Sequence, residues 1–163
     1  MKCAVYCRET GACCNSGDVG LVCAWTDGLL AIIGENPEIP MEEAVKRCGK
    51  VHYDANNMEK VLAPFIGHPE AFFSFLRDQW GWTVTVDPDG KRIMADENKA
   101  ECVCPLVRTG AAHTPNLCKC SEGFAERMFS TVLKRPVKAR VAESILRGGN
   151  HCVYEITIVD MDC

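Results

Sequence analysis

The sequence predicts an α+β domain, an antiparallel sheet of about five strands with helices packed on one face. Three observations carry this. Hydrophobic spacing is helical through much of residues 41–80, switches to a period of two at Trp82, and returns to two after a later helical stretch. Two turn signals, Asp87-Pro88-Asp89-Gly90 and Arg147-Gly148-Gly149-Asn150, sit between alternating segments as hairpin connections would. And 163 residues, 47% of them apolar, are enough for one sizeable core.

Residues 1–40 form a cysteine-rich N-terminal segment, and residues 41–163 read as a single ligand- or metal-binding domain. Cys3, Cys7, Cys13 and Cys14 surround turn-rich sequence whose spacing fits no standard zinc pattern, so loop thiols are expected. Asp18 is a candidate cap for a helix carrying Leu21, Val22 and Trp25. Residues 29–33 are a short apolar run, and residues 36–40 read as a linker. Pro40 suits the start of a helix in which Met41, Ala44, Val45 and Cys48 follow the helical period, which places Cys48 on the apolar face. Gly49 and Asn56-Asn57 are expected to interrupt it, and Met58, Val61 and Leu62 resume it. Pro69 opens a second helix whose Phe72, Phe73, Leu76 and Trp80 form an apolar stripe ending at Gly81.

Trp82, Val84 and Val86 alternate with threonines as a strand, and residues 91–95 return from the turn. Residues 102–107 read as the next extended piece. A loop over 109–116 leads to Ser121, a fair N-cap for a helix buried through Phe124, Ala125, Met128, Phe129, Val132 and Leu133. Arg135-Pro136 stops it. Val137, Ala139 and Val141 then alternate with Lys138 and Arg140, and Cys152, Tyr154, Ile156 and Ile158 share one face of the final strand.

Composition also excludes function classes. A formal charge of −4 and the lack of a basic run argue against nucleic acid. No segment approaches membrane-spanning length, and the opening MKCAVYCRET is too briefly apolar for a secretory signal. A soluble cytoplasmic protein is expected. In that reducing setting twelve cysteines point to metal, redox chemistry or small buried packing groups before a disulfide scaffold.

The chemical signal concentrates in residues 101–121. Cys102 and Cys104 are spaced to point to one face of an extended backbone, and Cys118 and Cys120 repeat the spacing where a helix begins. With Cys152 from the last strand they are the candidate metal ligands. Soft thiolates select zinc, copper(I) or iron–sulfur over magnesium or calcium. Zinc is preferred because the spacing is not a ferredoxin pattern, although Cys104-Pro105 gives iron–sulfur some support. His113 and His151 are spare candidates. The alternative for any one Cys-x-Cys is two small buried residues.

Residues 102–158 resemble the 4-vinyl reductase domain family and its cysteine-rich bacterial and archaeal relatives. The likeness lies in Cys102-Val103-Cys104-Pro105-Leu106, in Leu117 to Phe124, in Leu133-Lys134-Arg135-Pro136-Val137-Lys138, and in Ile145 to Ile156. The family places a glycine, an acid and a cysteine around the last hairpin. Gly149 and Cys152 match, and Asn150 stands where the acid is expected. The resemblance implies a small-molecule-binding α+β domain, related in fold to ligand-binding domains of signalling and trafficking proteins, with metal held by cysteines. A neighbouring set with similar cysteine stretches is labelled thiazoline-carboxylate hydrolase.

The leading expectation is therefore a sensor or binding domain with cysteine-ligated zinc beside an apolar pocket walled by Phe72, Phe73 and Trp80. It would take a small apolar or small cyclic molecule. The alternative is a hydrolase acting through the metal or an activated thiolate on a small cyclic or amide substrate, with Glu101, Glu122 or His113 as the nearest bases. A redox protein with an exchangeable disulfide and a structural zinc module complete the set. An edge strand near Lys91 or Val137 would suit a homodimer.

Overall fold

The computed structural model describes residues 26, 28–108, 110 and 113–159. Cys3, Cys7, Cys13, Cys14 and Cys163, and the helix expected over 18–25, lie outside the described residues. The apolar run at 29–33 falls in a helix, α1 (28–35), followed by turn at 36–40.

Helix α2 (Met41–Ala55) runs through Gly49 without a break and ends at Asn56. Asn57 then adopts a left-handed conformation before the short α3 (Met58–Leu62). Gly49 was expected to interrupt α2, but it serves packing instead. A Cβ there would lie 2.6 Å from the carbonyl oxygen of Cys120 and 2.6 Å from the amide nitrogen of Phe124. Both belong to α6 (Cys118–Leu133), where Gly123 reciprocates against the backbone of Lys46. The two glycines let the helix backbones meet. Cys48, expected on the apolar face, is exposed because α2 turns Val45, Gly49 and Tyr53 inward.

Helix α4 (Pro69–Phe75) continues into a π-helical turn, Leu76–Trp80, and stops at Gly81 in the left-handed conformation. Strands β1 (Thr83–Val86) and β2 (Arg92–Asp96) then form the expected hairpin. The segment 102–107, expected as a strand, instead forms a loop and the short helix α5 (Pro105–Arg108). Pro105 supplies no N–H at the first turn, while the Cys104 carbonyl accepts from Val107 and Arg108 at 3.0 and 2.9 Å. The sheet accordingly has four strands in the order β1-β2-β4-β3, all antiparallel, with β3 at Val137–Glu143 and β4 at Val153–Ile158.

The alternation read from the sequence decides the faces. Ile93, Ala95, Val137, Ala139, Val141, Tyr154 and Ile156 turn toward α6, which brings Ala125, Met128, Phe129 and Val132 into the same core. Arg92, Lys138, Arg140 and Thr157 face solvent, and Arg140 pairs with Glu155 directly across the ladder at 2.6 Å. Helices thus cover one face.

Lys91 leads into β2, an interior strand, so the edges are β1 and β3. The outer side of β3 is not open. Glu126 Oε1 accepts the Ala139 N–H at 3.0 Å, and Glu122 Oε1 accepts the Val141 N–H at 3.0 Å. Lys46 Nζ lies 2.7 Å from Glu126 Oε1, and Lys119 Nζ lies 3.0 Å from Glu122 Oε2. Two carboxylates one helical turn apart therefore occupy donors that a neighbouring strand would otherwise take, with lysines offsetting their charge. Among the described residues no helix is long and apolar enough to cross a membrane.

Candidate functional site

A cavity of about 410 Å³ opens between the 98–104 loop, the first turns of α6, the start of β4 and the end of α2. Its apolar wall includes Met58, Trp80, Trp82, Leu117, Phe124 and Leu146. Trp82 stacks on Tyr154 with centroids 5.8 Å apart and planes 13° from parallel, and Trp80 meets Trp82 edge-on at 5.5 Å.

Four of the five expected metal ligands line this cavity: Cys102, Cys104, Cys118 and Cys152. Cys120 does not. It is buried with Val45, Val107 and Leu117 in a second cluster, against which Cys102 and Cys104 also pack, and burial pushes its thiol up to about 12. The reason is local: Cys118 and Cys120 lie in the first turn of a helix, about 200° apart around its axis, so they cannot share a face as on a strand. That helix begins ahead of the expected cap at Ser121, after a 3₁₀ turn, Pro115–Leu117, with Thr114 Oγ1 accepting from the Asn116 N–H. Of the three aromatic residues expected to wall the pocket, only Trp80 does so. Phe72 is fully buried in the main core, edge-on to Phe129 at 5.5 Å, and Phe73 packs against the same core.

Each remaining thiol has a defined partner. Cys118 donates to the buried Ser144 hydroxyl at 3.3 Å. Cys104 Sγ accepts from the backbone N–H groups of Leu106 and Val107, and burial, the larger influence, raises its pKa. Cys102 and Cys152 lie within hydrogen-bonding reach of one another, and Cys152 Sγ also receives the Ile145 N–H. The S–H of Cys102 held toward Cys152 favours ionisation of Cys152 and opposes it at Cys102.

The sequence reading did not single out Glu97. It follows β2, and its N–H donates to the Cys152 carbonyl at 3.0 Å, extending the β2–β4 pairing. The residue is only 5% exposed, and its carboxylate Oε1 accepts the Tyr154 hydroxyl at 2.8 Å. Burial pushes its pKa up to about 7, against the opposing effect of that hydrogen bond. The same burial, and then the charge of Glu97, raise the Tyr154 phenol. A signal existed: Cys152 and Tyr154 were placed on one inward face, and Glu97 continues the inward alternation of Ile93 and Ala95. Glu101 is exposed, and Glu122 is committed to β3 and Lys119, so neither is placed as a base in the cavity. His151 pairs with Asp96 at 3.2 Å, and His113 is not among the cavity residues.

The donor set fits a soft cation by chemistry. Three of its sulfurs, those of Cys102, Cys104 and Cys152, already receive backbone N–H groups that would offset thiolate charge, and Glu97 adds an oxygen donor. Among the described residues, no three His, Cys, Asp or Glu side chains are grouped as an ion's ligands would be.

No family model matches the chain, and no curated protein matches it. Among solved structures it is similar to trafficking protein particle complex subunit 3 from Naegleria fowleri, a chain covalently bound to palmitic acid. The identity is 11%, covering 80% of this chain and 82% of that one, with a TM-score of 0.35.

Proposed function

We propose that the chain is a small-molecule-binding or sensor domain of the cytoplasm, in which cysteines hold a zinc ion beside an apolar pocket. The observation that carries this is that Cys102, Cys104, Cys118, Cys152 and Glu97 all line one cavity, which Met58, Trp80, Trp82, Leu117 and Phe124 also wall. The resemblance of residues 102–158 to the 4-vinyl reductase domain family points the same way.

Cys104, Cys118, Cys152 and Glu97 would hold the ion, with Cys102 as an alternative thiol. Bound there, zinc would supply a fixed positive charge at the polar end of the pocket. Trp80, Trp82 and Phe124 would exclude water and orient a small apolar or cyclic molecule, and the Tyr154 hydroxyl and Glu97 would set its polar edge. Isothermal titration of the thiol-reduced chain with Zn²⁺ tests the reading. Single Ser variants at Cys104, Cys118 and Cys152 should each weaken binding by ~10-fold or more, and Cys120→Ser should not. Uniform retention in all four variants would refute it.

A hydrolase is the second reading, favoured by one pairing. The Cys152 thiol, whose ionisation Cys102 favours, shares the cavity with a carboxyl poised near neutrality at Glu97. Trapping of an acyl group on Cys152 from an activated ester would support that reading, and no label at Cys152 would exclude the thiolate route.

A further inference from the structure

We propose that Cys102 and Cys152 are an oxidisable pair which a hydroperoxide closes to a disulfide, fastening the 98–104 wall of the cavity to β4. The pair differs from the Cys-x-Cys pairings suggested by sequence, because its two thiols come from separate elements fifty residues apart in the chain.

Placement singles out this pair. Both side chains line the cavity and lie within hydrogen-bonding reach of one another. Cys152 is anchored, since its carbonyl accepts the Glu97 N–H at 3.0 Å and β4 begins at the next residue. Cys102 is not anchored in that way. It sits in a stretch without helix or strand, flanked by exposed Glu101 and Val103. A disulfide needs the sulfurs to close to ~2.05 Å, and a loop can supply that movement where a ladder cannot. Of the other cavity thiols, Cys118 is hydrogen-bonded to the Ser144 hydroxyl. Cys120 lies outside the cavity.

The chemistry balances with hydrogen peroxide as oxidant. The Cys152 sulfur attacks one peroxide oxygen, the O–O bond breaks, and a sulfenic acid forms as one water leaves. The Cys102 sulfur then attacks the sulfenic sulfur, the S–O bond breaks, and a second water leaves. Two thiols lose two electrons and two protons in total, and the peroxide takes up both. The cavity is open to a molecule of that size.

The inference does not require a metal. If zinc is held as proposed, the same oxidation removes at least one of its donors and releases it.

The test treats the full reduced chain, free of metal, with hydrogen peroxide, blocks remaining thiols with iodoacetamide, and maps linked peptides without reductant. A cross-link joining Cys102 to Cys152 is expected, reversed by dithiothreitol, together with a reversible change in tryptophan emission from Trp80 and Trp82. Cys102→Ser and Cys152→Ser should each abolish both signals, and Cys104→Ser should keep them. Linkage to other cysteines, free Cys102 beside an over-oxidised Cys152, or unchanged alkylation at both positions would overturn the proposal. A parallel arm measures bound zinc before oxidation. A cross-link in a protein that never held zinc sinks the proposed metal site alone, and bound zinc without a cross-link sinks this inference alone.

Discussion

Replacing Gly123 by alanine is expected to loosen the molecule by separating α2 from α6. The added Cβ would lie 2.2 Å from the Lys46 carbonyl oxygen and 2.8 Å from its Cα. Comfortable contacts are ~3.5 Å, so the helices must part by roughly 1 Å. No rotamer can relieve a clash between backbones. Alanine inside a helix gains about 1 kcal/mol over glycine, whereas overpacking costs about 1–3 kcal/mol and more where nothing yields. The clash wins, with a net loss of about 2 kcal/mol, or a fall in Tm of about 4–8 °C for a chain of this size. Urea denaturation of the metal-free protein measures it, with Gly28→Ala as a control because nothing lies within 4 Å of that position. Gly49→Ala should behave like Gly123→Ala. The double variant should cost less than their sum, since one separation relieves both contacts. A Gly123→Ala protein as stable as the parent would refute the reasoning.

Glu97 gives a pH signature in the metal-free protein. Its folded pKa is raised to about 7, so between the unfolded value and 7 the folded chain holds the proton more tightly. The stability from this group is full below pH ~4.5 and is lost as pH rises through 7, by about 3 kcal/mol. Glu97→Gln should flatten that slope between pH 5 and 8 in urea titrations, and an unchanged slope would assign it elsewhere. Phe72→Ala should cost about 3–5 kcal/mol by emptying the core, whereas Trp80→Ala should lower affinity for an apolar fluorescent probe with a smaller stability loss. Equal effects on stability and on probe binding in the two variants would contradict the division between core and pocket. Glu126→Ala should cost about 1–3 kcal/mol by orphaning the Ala139 N–H, and should bring concentration-dependent association in gel filtration as β3 opens.

Much of the sheet was legible because alternation is a local property. Val137, Ala139 and Val141 turn inward as read, and so do Cys152, Tyr154 and Ile156. The long helix after Leu117 was legible from its broad apolar face. Residues 102–107 were not, because two cysteines around a valine mimic alternation, and Pro105 is equally at home opening a helix. Cys48 misled because a helical period does not say how wide the buried stripe is. Gly49 looked like a break because its value lies in a crossing with α6, which only the tertiary arrangement creates. The site was half legible: the thiols were conspicuous, but Glu97 becomes notable only when burial removes its water. Phe72 and Phe73 carried the same apolar signal as Trp80, and only the register of α4 with its π-helical turn sorted core from cavity.

The clamp of Glu122 and Glu126 onto β3 has a consequence for the cavity. It locks the axial position of α6, and so the height at which Cys118, Ser121 and Phe124 are presented. The opposite side, residues 98–104, is held instead by the packing of Cys102 and Cys104 against Val45, Val107 and Leu117 and by the contact of Cys102 with Cys152. One jaw is tied to the sheet by ion-paired carboxylates and the other by side-chain packing alone, so a guest of awkward size is expected to shift the loop before the helix.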